Sequence, residues 1–425
     1  MESLSPMKKP ITCVFALSLV CAAATITAPG DLTLDEVIDI SLRDNPQILA
    51  MRQKVEVANG RAVQAGLWSN PELALTAEEV PIDSGGLSSS KNLIGIAQTV
   101  PFPGKKSLDR KIAHAEIQAA ESDYVSQQLE LVRRVKHAFY RTLASQEKLV
   151  VAEQLLALAK SLVETTAKRV DAGAATDQEQ LRAEIEEERA GVQWSSQRRE
   201  LTEAQKHLAT LLGQPDNPVL HLHGTWGRIS HVVEVADRRT QSVQQHPDLR
   251  AAVEQVERAE LELRRAKLDP MPDPSFGVAA GNDGAANEAI MDFRVSLPLP
   301  LFDRAQGRKR TTHAMADIAR FDLVTIEQGL LERWSVAEAR IAAAAEQVEA
   351  YRVRILPKAE RALQLVQRGY DAGRFDLLDL LDIQRTTAES KMAYYDKLFE
   401  LHAAGADLES LLPPEDRNTK KGNQE

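Results

Sequence analysis

The chain repeats itself at a spacing of about 200 residues, and this constrains its fold more than any single motif. Asp171-Ala172-Gly173 returns as Asp371-Ala372-Gly373 at an offset of 200, and Asn45-Pro46 is answered by His246-Pro247 at 201. The apolar positions that follow keep the second register, Val55 with Val256, Ala58 with Ala259 and Leu67 with Leu268. Self-similarity at a fixed period means copies of one supersecondary unit. The chain therefore reads as two copies, 25–213 and 236–412, joined by a connecting segment over 214–235 and followed by a polar tail over 413–425.

Each copy follows one plan. An opening helix of about 30 residues ends near Trp68 or Leu268, and the first is opened by a capping box of Thr33 and Glu36. Short proline-flanked strands come next, at about 72–80 with 92–100 and about 275–281 with 289–297. The loops between them are rich in Gly, Ser, Asn and Asp, as hairpin loops are. In the last strand Met291, Phe293, Val295 and Leu297 share one face, and Asp292, Arg294 and Ser296 the other. Period two with one polar face marks a strand between oil and water.

Prolines then turn each copy into a very long helical pattern, about Gly104 to Val170 and Arg304 to Tyr370, with Pro357 expected to kink the second. At about 1.5 Å per residue each helix is roughly 100 Å long, too long for a compact domain. Past Asp-Ala-Gly the chain returns as a helix of about 36 residues. In the second return Leu377, Leu381, Ala388, Met392, Tyr395 and Phe399 form a coiled-coil seam. The tips of these hairpins fall at 171–176 and 371–376. The opening and returning helices, stacked end to end, match the long helix beside them.

Composition supports long helices, since 27% of residues are charged and only 4% aromatic. Lys8 and Lys9 precede an apolar run from Ile11 to Ala28, which reads as a secretory signal peptide over residues 1–24. An uncleaved membrane anchor is the competing reading. Both cysteines, Cys13 and Cys21, lie in that segment, so cysteine chemistry is excluded from a processed chain. Val20 is too large to precede a lipidated Cys21 comfortably. Processing would move the net charge from −10 to −11, and an acidic exported chain argues against nucleic acid as a partner. No later apolar run is long enough for a helical span, so membrane insertion would be through strands. Four strands cannot close a barrel, and open edges are costly in lipid, so the chain should oligomerise through them. Three chains give twelve strands.

Chemistry-bearing motifs are few. Gly104-Lys105-Lys106-Ser107 lacks the earlier glycine of a phosphate loop, because Thr99 stands there, and reads as a basic helix start near membrane headgroups. His221 and His223 share a face if extended, but have no third ligand nearby in sequence. No nucleophile, base and orienting group assemble, so neither an enzyme nor a cofactor is expected. The remaining cluster is Asp376, Asp379 and Asp382. Asp376 and Asp379 answer to Thr176 and Glu179 at the offset of 200, a capping pattern, whereas Asp382 answers to Arg182. Asp379 and Asp382 can face one side of the helix, with Arg385 close enough to offset one of them.

These features together resemble the TolC family of outer-membrane efflux ducts. The resemblance runs from "LTLDEVIDISLRDNPQI" through both sets of strands, "RILPKAERAL" and "GYDAGRFDLLDLLDIQ" to "LESLL". Within the family, "QTVPFPGKKSLDRKIAHAE" looks like the heavy-metal branch. The fold this implies is mainly α with a membrane β-barrel contribution: a homotrimer with a twelve-stranded barrel in outer-membrane lipid, continued by a long α-helical barrel through the periplasm. The implied partners are a periplasmic membrane-fusion adaptor and, through it, an inner-membrane resistance-nodulation-division pump. The family's aspartate pair at the periplasmic aperture matches Asp379 and Asp382, its tip tyrosine matches Tyr370, and an arginine that can lock the closed aperture falls at Phe375, beside Arg374. Adaptor contacts are expected at the tips, on Asp171, Gly173, Tyr370, Asp371, Gly373 and Arg374. A duct for protein secretion or organic compounds, and a periplasmic coiled-coil scaffold, remain as alternatives.

Overall fold

The computed structural model describes residues 32–82, 86–216, 222–224, 226 and 239–412. The expected signal peptide, His221, most of the connecting segment and the 413–425 tail lie outside the described residues.

The first copy comprises α1 (Leu34–Asp44), α2 (Pro46–Gly66), β1 (Glu72–Glu78), β2 (Lys91–Thr99), α3 (Lys105–Asp171) and α4 (Asp177–Leu211). The second comprises α5 (Arg239–Gln244), α6 (Pro247–Lys267), β3 (Ser275–Asp283), β4 (Glu288–Ser296), α7 (Gln306–Glu349), a π-helical turn (Ala350–Ile355), α8 (Leu356–Asp371) and α9 (Leu377–Ser410).

The opening helix is not continuous in either copy. A residue before proline is pushed out of helical geometry, and Asn45 is extended at φ −68°, ψ 123°, as is His246 at φ −66°, ψ 136°. Each then caps the next helix. Asn45 Oδ1 accepts from the Gln47 amide at 2.8 Å, and His246 Nδ1 from the Asp248 amide at 3.2 Å. Asn45 Nδ2 also donates to the Leu211 carbonyl at 2.8 Å, which ties the break to the end of α4. The expected capping box at Thr33 and Glu36 is present.

Pro357 does not produce a simple kink. It has no amide to donate and its ring crowds the preceding turn. The helix widens ahead of it into the π turn, where the Leu356 amide reaches back five residues to the Tyr351 carbonyl.

The four strands make one antiparallel sheet in the order β1-β2-β3-β4. Its register aligns Leu73 with Ile96, Ile96 with Val278 and Val278 with Phe293, so these side chains run across a single face. Leu75, Ile94, Phe276, Met291 and Val295 extend that exposed apolar face. The opposite face carries Glu78, Asp292 and Arg294, the last 3.7 Å from Glu78. β3 runs on to Asp283, whose side chain accepts from the Ala285 and Ala286 amides and so tightens the hairpin.

Below the sheet, α3 packs against α2 and α6, and α6 against α7. Further down, α3 packs against α4 and α9, and α9 against α7 and α8. The described elements thus form a layer with β1, α2 and α4 along one edge and β4, α7 and α8 along the other. Two apolar cores in the middle repeat the duplication: one gathers Val37, Leu131, Phe139 and Leu208, the other Val243, Leu330, Trp334 and Leu408. Of the expected seam in α9, Ala388 and Met392 pack on Val151 and Ala152, while the fully buried Leu380 lies outside that pattern.

Lys105 is not at a headgroup surface. It is buried, and its Nζ donates to the Met271 carbonyl at 2.7 Å and to Asp273 Oδ1 at 2.8 Å. The same carboxylate oxygen accepts from the Phe102 amide at 2.6 Å, so one ion pair joins the strand-to-helix junction of the first copy to the helix-to-strand junction of the second.

Candidate functional site

The two hairpin tips are built alike. In each, a glycine in left-handed geometry, Gly173 at φ +70° or Gly373 at φ +68°, lets the chain reverse. The Ala174 amide then reaches the Arg169 carbonyl, and Arg374 that of Gly369, both at 2.7 Å. Asp171, Gly173, Asp371, Gly373 and Arg374 are all exposed there.

Tyr370 departs from that set. It is 6% exposed and packs with Leu162, Ala183, Leu377 and Leu380, so it joins the two hairpins rather than facing a partner. The Arg169 guanidinium lies 5.1 Å from its ring centroid, a cation–π contact within the protomer. Its hydroxyl is buried without a hydrogen-bond partner among the described residues. Phe375, at the position of the locking arginine, lies against Gly369 and fills the space where a side chain there would stand. Arg374 beside it is exposed.

The aspartates divide by role. Asp376 is the N-cap of α9: its Oδ1 accepts the Asp379 amide at 2.8 Å, and Asp379 Oδ2 in turn accepts the Asp376 amide at 3.4 Å. Asp382 Oδ1 accepts from Arg385 Nη2 at 2.7 Å, and Arg385 also lies 3.9 Å from Glu389. Both partners of the Asp382–Arg385 pair are more than half exposed, which limits its worth to about 0–1 kcal/mol. Asp379 and Asp382 thus stand one helical turn apart on an exposed surface about a turn from the tip.

Higher up, a polar cluster clasps α3 to α9 and carries no local sequence signal, because its members lie about 270 residues apart. Asp407 accepts from Arg133 at 2.9 Å, meets His137 Nε2 at 2.8 Å, and has Arg340 at 3.8 Å, while Lys136 pairs with Glu409. Burial works against ionisation of Asp407, but His137 and Arg133 together hold its carboxyl below the usual carboxylate value. His402 stacks on Tyr140 at 4.3 Å and lies 5.4 Å from Trp226. Burial pushes its pKa down to about 4, against a small opposing effect of Glu409.

Among the described residues, no group of three or more His, Cys, Asp or Glu is placed to hold a metal ion. His223 donates its amide to the Leu32 carbonyl at 3.1 Å, which ties Leu222–His223 to the start of the first copy. No helix among the described residues is long and apolar enough to cross a membrane.

The sequence profile described as "Outer membrane efflux protein" matches residues 37–214 and 239–412, one stretch in each copy. The chain is 24% identical to the cobalt-zinc-cadmium resistance protein CzcC of Cupriavidus metallidurans over 91% of each chain. It is 25% identical to the pyoverdine export outer membrane protein OpmQ of Pseudomonas putida, over 84% of this chain and 81% of that one. In fold it is similar to CusC, with a TM-score of 0.76 at 17% identity over 93% of this chain and 95% of that one. The outer membrane channel CmeC of Campylobacter jejuni gives 0.74 at 15% identity, over 99% and 98%. The chain belongs to the outer membrane efflux protein family, channels of the outer membrane with a large periplasmic part.

Proposed function

We propose that the chain is the exit duct of a tripartite efflux system, working as a homotrimer that receives heavy-metal cations from an inner-membrane resistance-nodulation-division pump through a periplasmic membrane-fusion adaptor. The observation that carries the reading is the four-stranded sheet with one apolar face and two unpaired edges, β1 and β4. In lipid such edges must be paired. Because β1 and β4 are different surfaces, their contact is head-to-tail, and such contacts form a ring when the rotation from copy to copy closes. Three copies give a barrel of twelve strands, whose apolar face meets lipid and whose Glu78, Asp292 and Arg294 line the lumen.

The names of two relatives favour metal cargo: CzcC for cobalt, zinc and cadmium, and NccC of Alcaligenes xylosoxydans xylosoxydans for nickel, cobalt and cadmium. The similarity to OpmQ supports a second reading, in which the cargo is an organic solute.

At the periplasmic mouth, Asp379 and Asp382 are assigned as the aperture ring. Three copies bring three such pairs towards one axis, where like charges favour bound cations and water. Asp171, Gly173, Asp371, Gly373 and Arg374 are assigned as the adaptor contact, without Tyr370. Conductance of the trimer in planar bilayers tests the ring. Asp379→Ala with Asp382→Ala should lower cation selectivity and relieve block by multivalent cations, and unchanged values of both would remove the assignment.

A further inference from the structure

The duplication supplies its own control for surface charge, and on the tip half of the helices the two copies have diverged in opposite senses. On α4, the exposed apolar residues Leu181, Ile185 and Val192 are flanked by Glu184, Glu186, Glu187 and Glu188. Their counterparts at the offset of 200 are Gln384, Thr386, Thr387 and Ala388. On the other edge, the π turn and α8 expose Val353, Ile355 and Leu365 beside Arg354, Lys358 and Arg361. These answer to Gln154, Leu158 and Ser161 in the first copy. One edge has become acidic and the other basic.

Few of these charges are used within the protomer. Glu186 pairs with Arg189 at 2.6 Å, and Glu184 accepts from Gln180 at 3.0 Å. Arg352 pairs with Glu349 at 2.6 Å, and Glu360 with Lys391 at 3.1 Å. Glu187, Glu188, Arg354, Lys358 and Arg361 make no ion pair among the described residues. The levels correspond as well. Glu187 and Glu188 lie 11 and 12 residues after Thr176, while Arg361 and Lys358 lie 10 and 13 before Asp371. Val192 and Ile355 are each 16 residues from those same ends. At about 1.5 Å per residue, matching counts mean matching heights above the tips.

We infer that the acidic face of α4 docks on the basic π turn and α8 of a second copy of this chain, forming an electrostatic seam between protomers in the periplasmic half. The inference rests on the trimer reading and extends it. Nearer the membrane the opposing edges are more apolar, with Val57 and Val63 on α2 and Ile318 and Phe321 on α7. The seam near the tips is therefore the salt-sensitive part of the same continuous contact. The π turn has no counterpart in the continuous α3, and its widened backbone sets the helix face that carries Arg354 and Ile355 into that edge.

The test is disulfide trapping in the purified trimer carrying Val192→Cys and Ile355→Cys, residues at opposite edges of one protomer. The expected result is covalent dimers and trimers of this chain, with a yield that falls as salt is raised. Adding Glu187→Lys and Glu188→Lys should cut the yield about fivefold, as expected for two or three exposed ion pairs, and further Lys358→Glu with Arg361→Glu should restore it. An intact trimer that shows no cross-link, or one whose yield ignores both salt and charge reversal, overturns the seam while leaving the trimer standing. A double-cysteine protein that purifies folded but monomeric by native mass overturns the trimer and the seam together.

Discussion

Acidification should loosen the clasp between α3 and α9 through His402, and its size follows from one printed shift. The imidazole is buried against Tyr140 and Trp226 and titrates at about 4, compared with 6.5 for the free side chain. The unfolded chain therefore holds more protons than the folded one between these values. Stability is fully present above pH 6.5 and is lost as pH falls towards 4. At about 1.4 kcal/mol per pKa unit the loss amounts to about 3 kcal/mol. Asp407 adds a loss only at lower pH, because its carboxyl is held below the usual carboxylate value. The measurement is thermal unfolding of the detergent-solubilised protein from pH 7 to pH 4, followed by tryptophan fluorescence, for wild type and His402→Gln. The wild type should lose stability more steeply than the variant across this window, whatever their difference at pH 7. Parallel curves for the two proteins would show that His402 is not held neutral by burial, and the reasoning would fail.

Two further outcomes follow from the junctions around the sheet. Lys105→Met leaves the Asp273 carboxylate with the Phe102 amide but without its cation, and the Met271 carbonyl without its donor, and should destabilise the protein by about 1–3 kcal/mol, toward the low end because Asp273 is still 35% exposed; the temperature at which the oligomer dissociates in detergent reads this out. Gly281→Ala puts a methyl group onto the Asn92 carbonyl across the β2–β3 pairing, so the variant should fail to form a heat-stable oligomer in membranes, whereas Gly60→Ala, where the space is open, should not.

Much of the fold was legible because its signals are local and doubled. Alternation in β4 and the Asp-Ala-Gly turns each needed only neighbouring residues, and the second copy checked the first. The same comparison separated Asp376, a cap shared with Thr176, from Asp382, which has no acidic counterpart. The breaks at Asn45 and His246 were readable from the proline that follows each, but the apolar pattern runs through them and favoured one continuous helix. How the second long helix absorbs Pro357 was not readable, since a kink and a π turn answer the same missing amide. Lys105 and Tyr370 were misjudged for one reason. Both are buried by partners more than 150 residues away in sequence, Asp273 for the lysine and Leu162 and Arg169 for the tyrosine.

The duplication also bears on where a duct of this kind can open. In the proposed trimer, the β1–β4 contact consists of backbone hydrogen bonds in lipid, which cannot be broken without leaving amides unsatisfied. The middle of the protomer is held by two apolar cores and the Asp407 clasp. Towards the tips the two hairpins meet only in a smaller apolar cluster, Leu162, Ala183, Tyr370, Leu377 and Leu380. In the proposed trimer, motion that widens the duct is therefore expected at the end that carries Asp379 and Asp382, while the barrel stays closed to lipid.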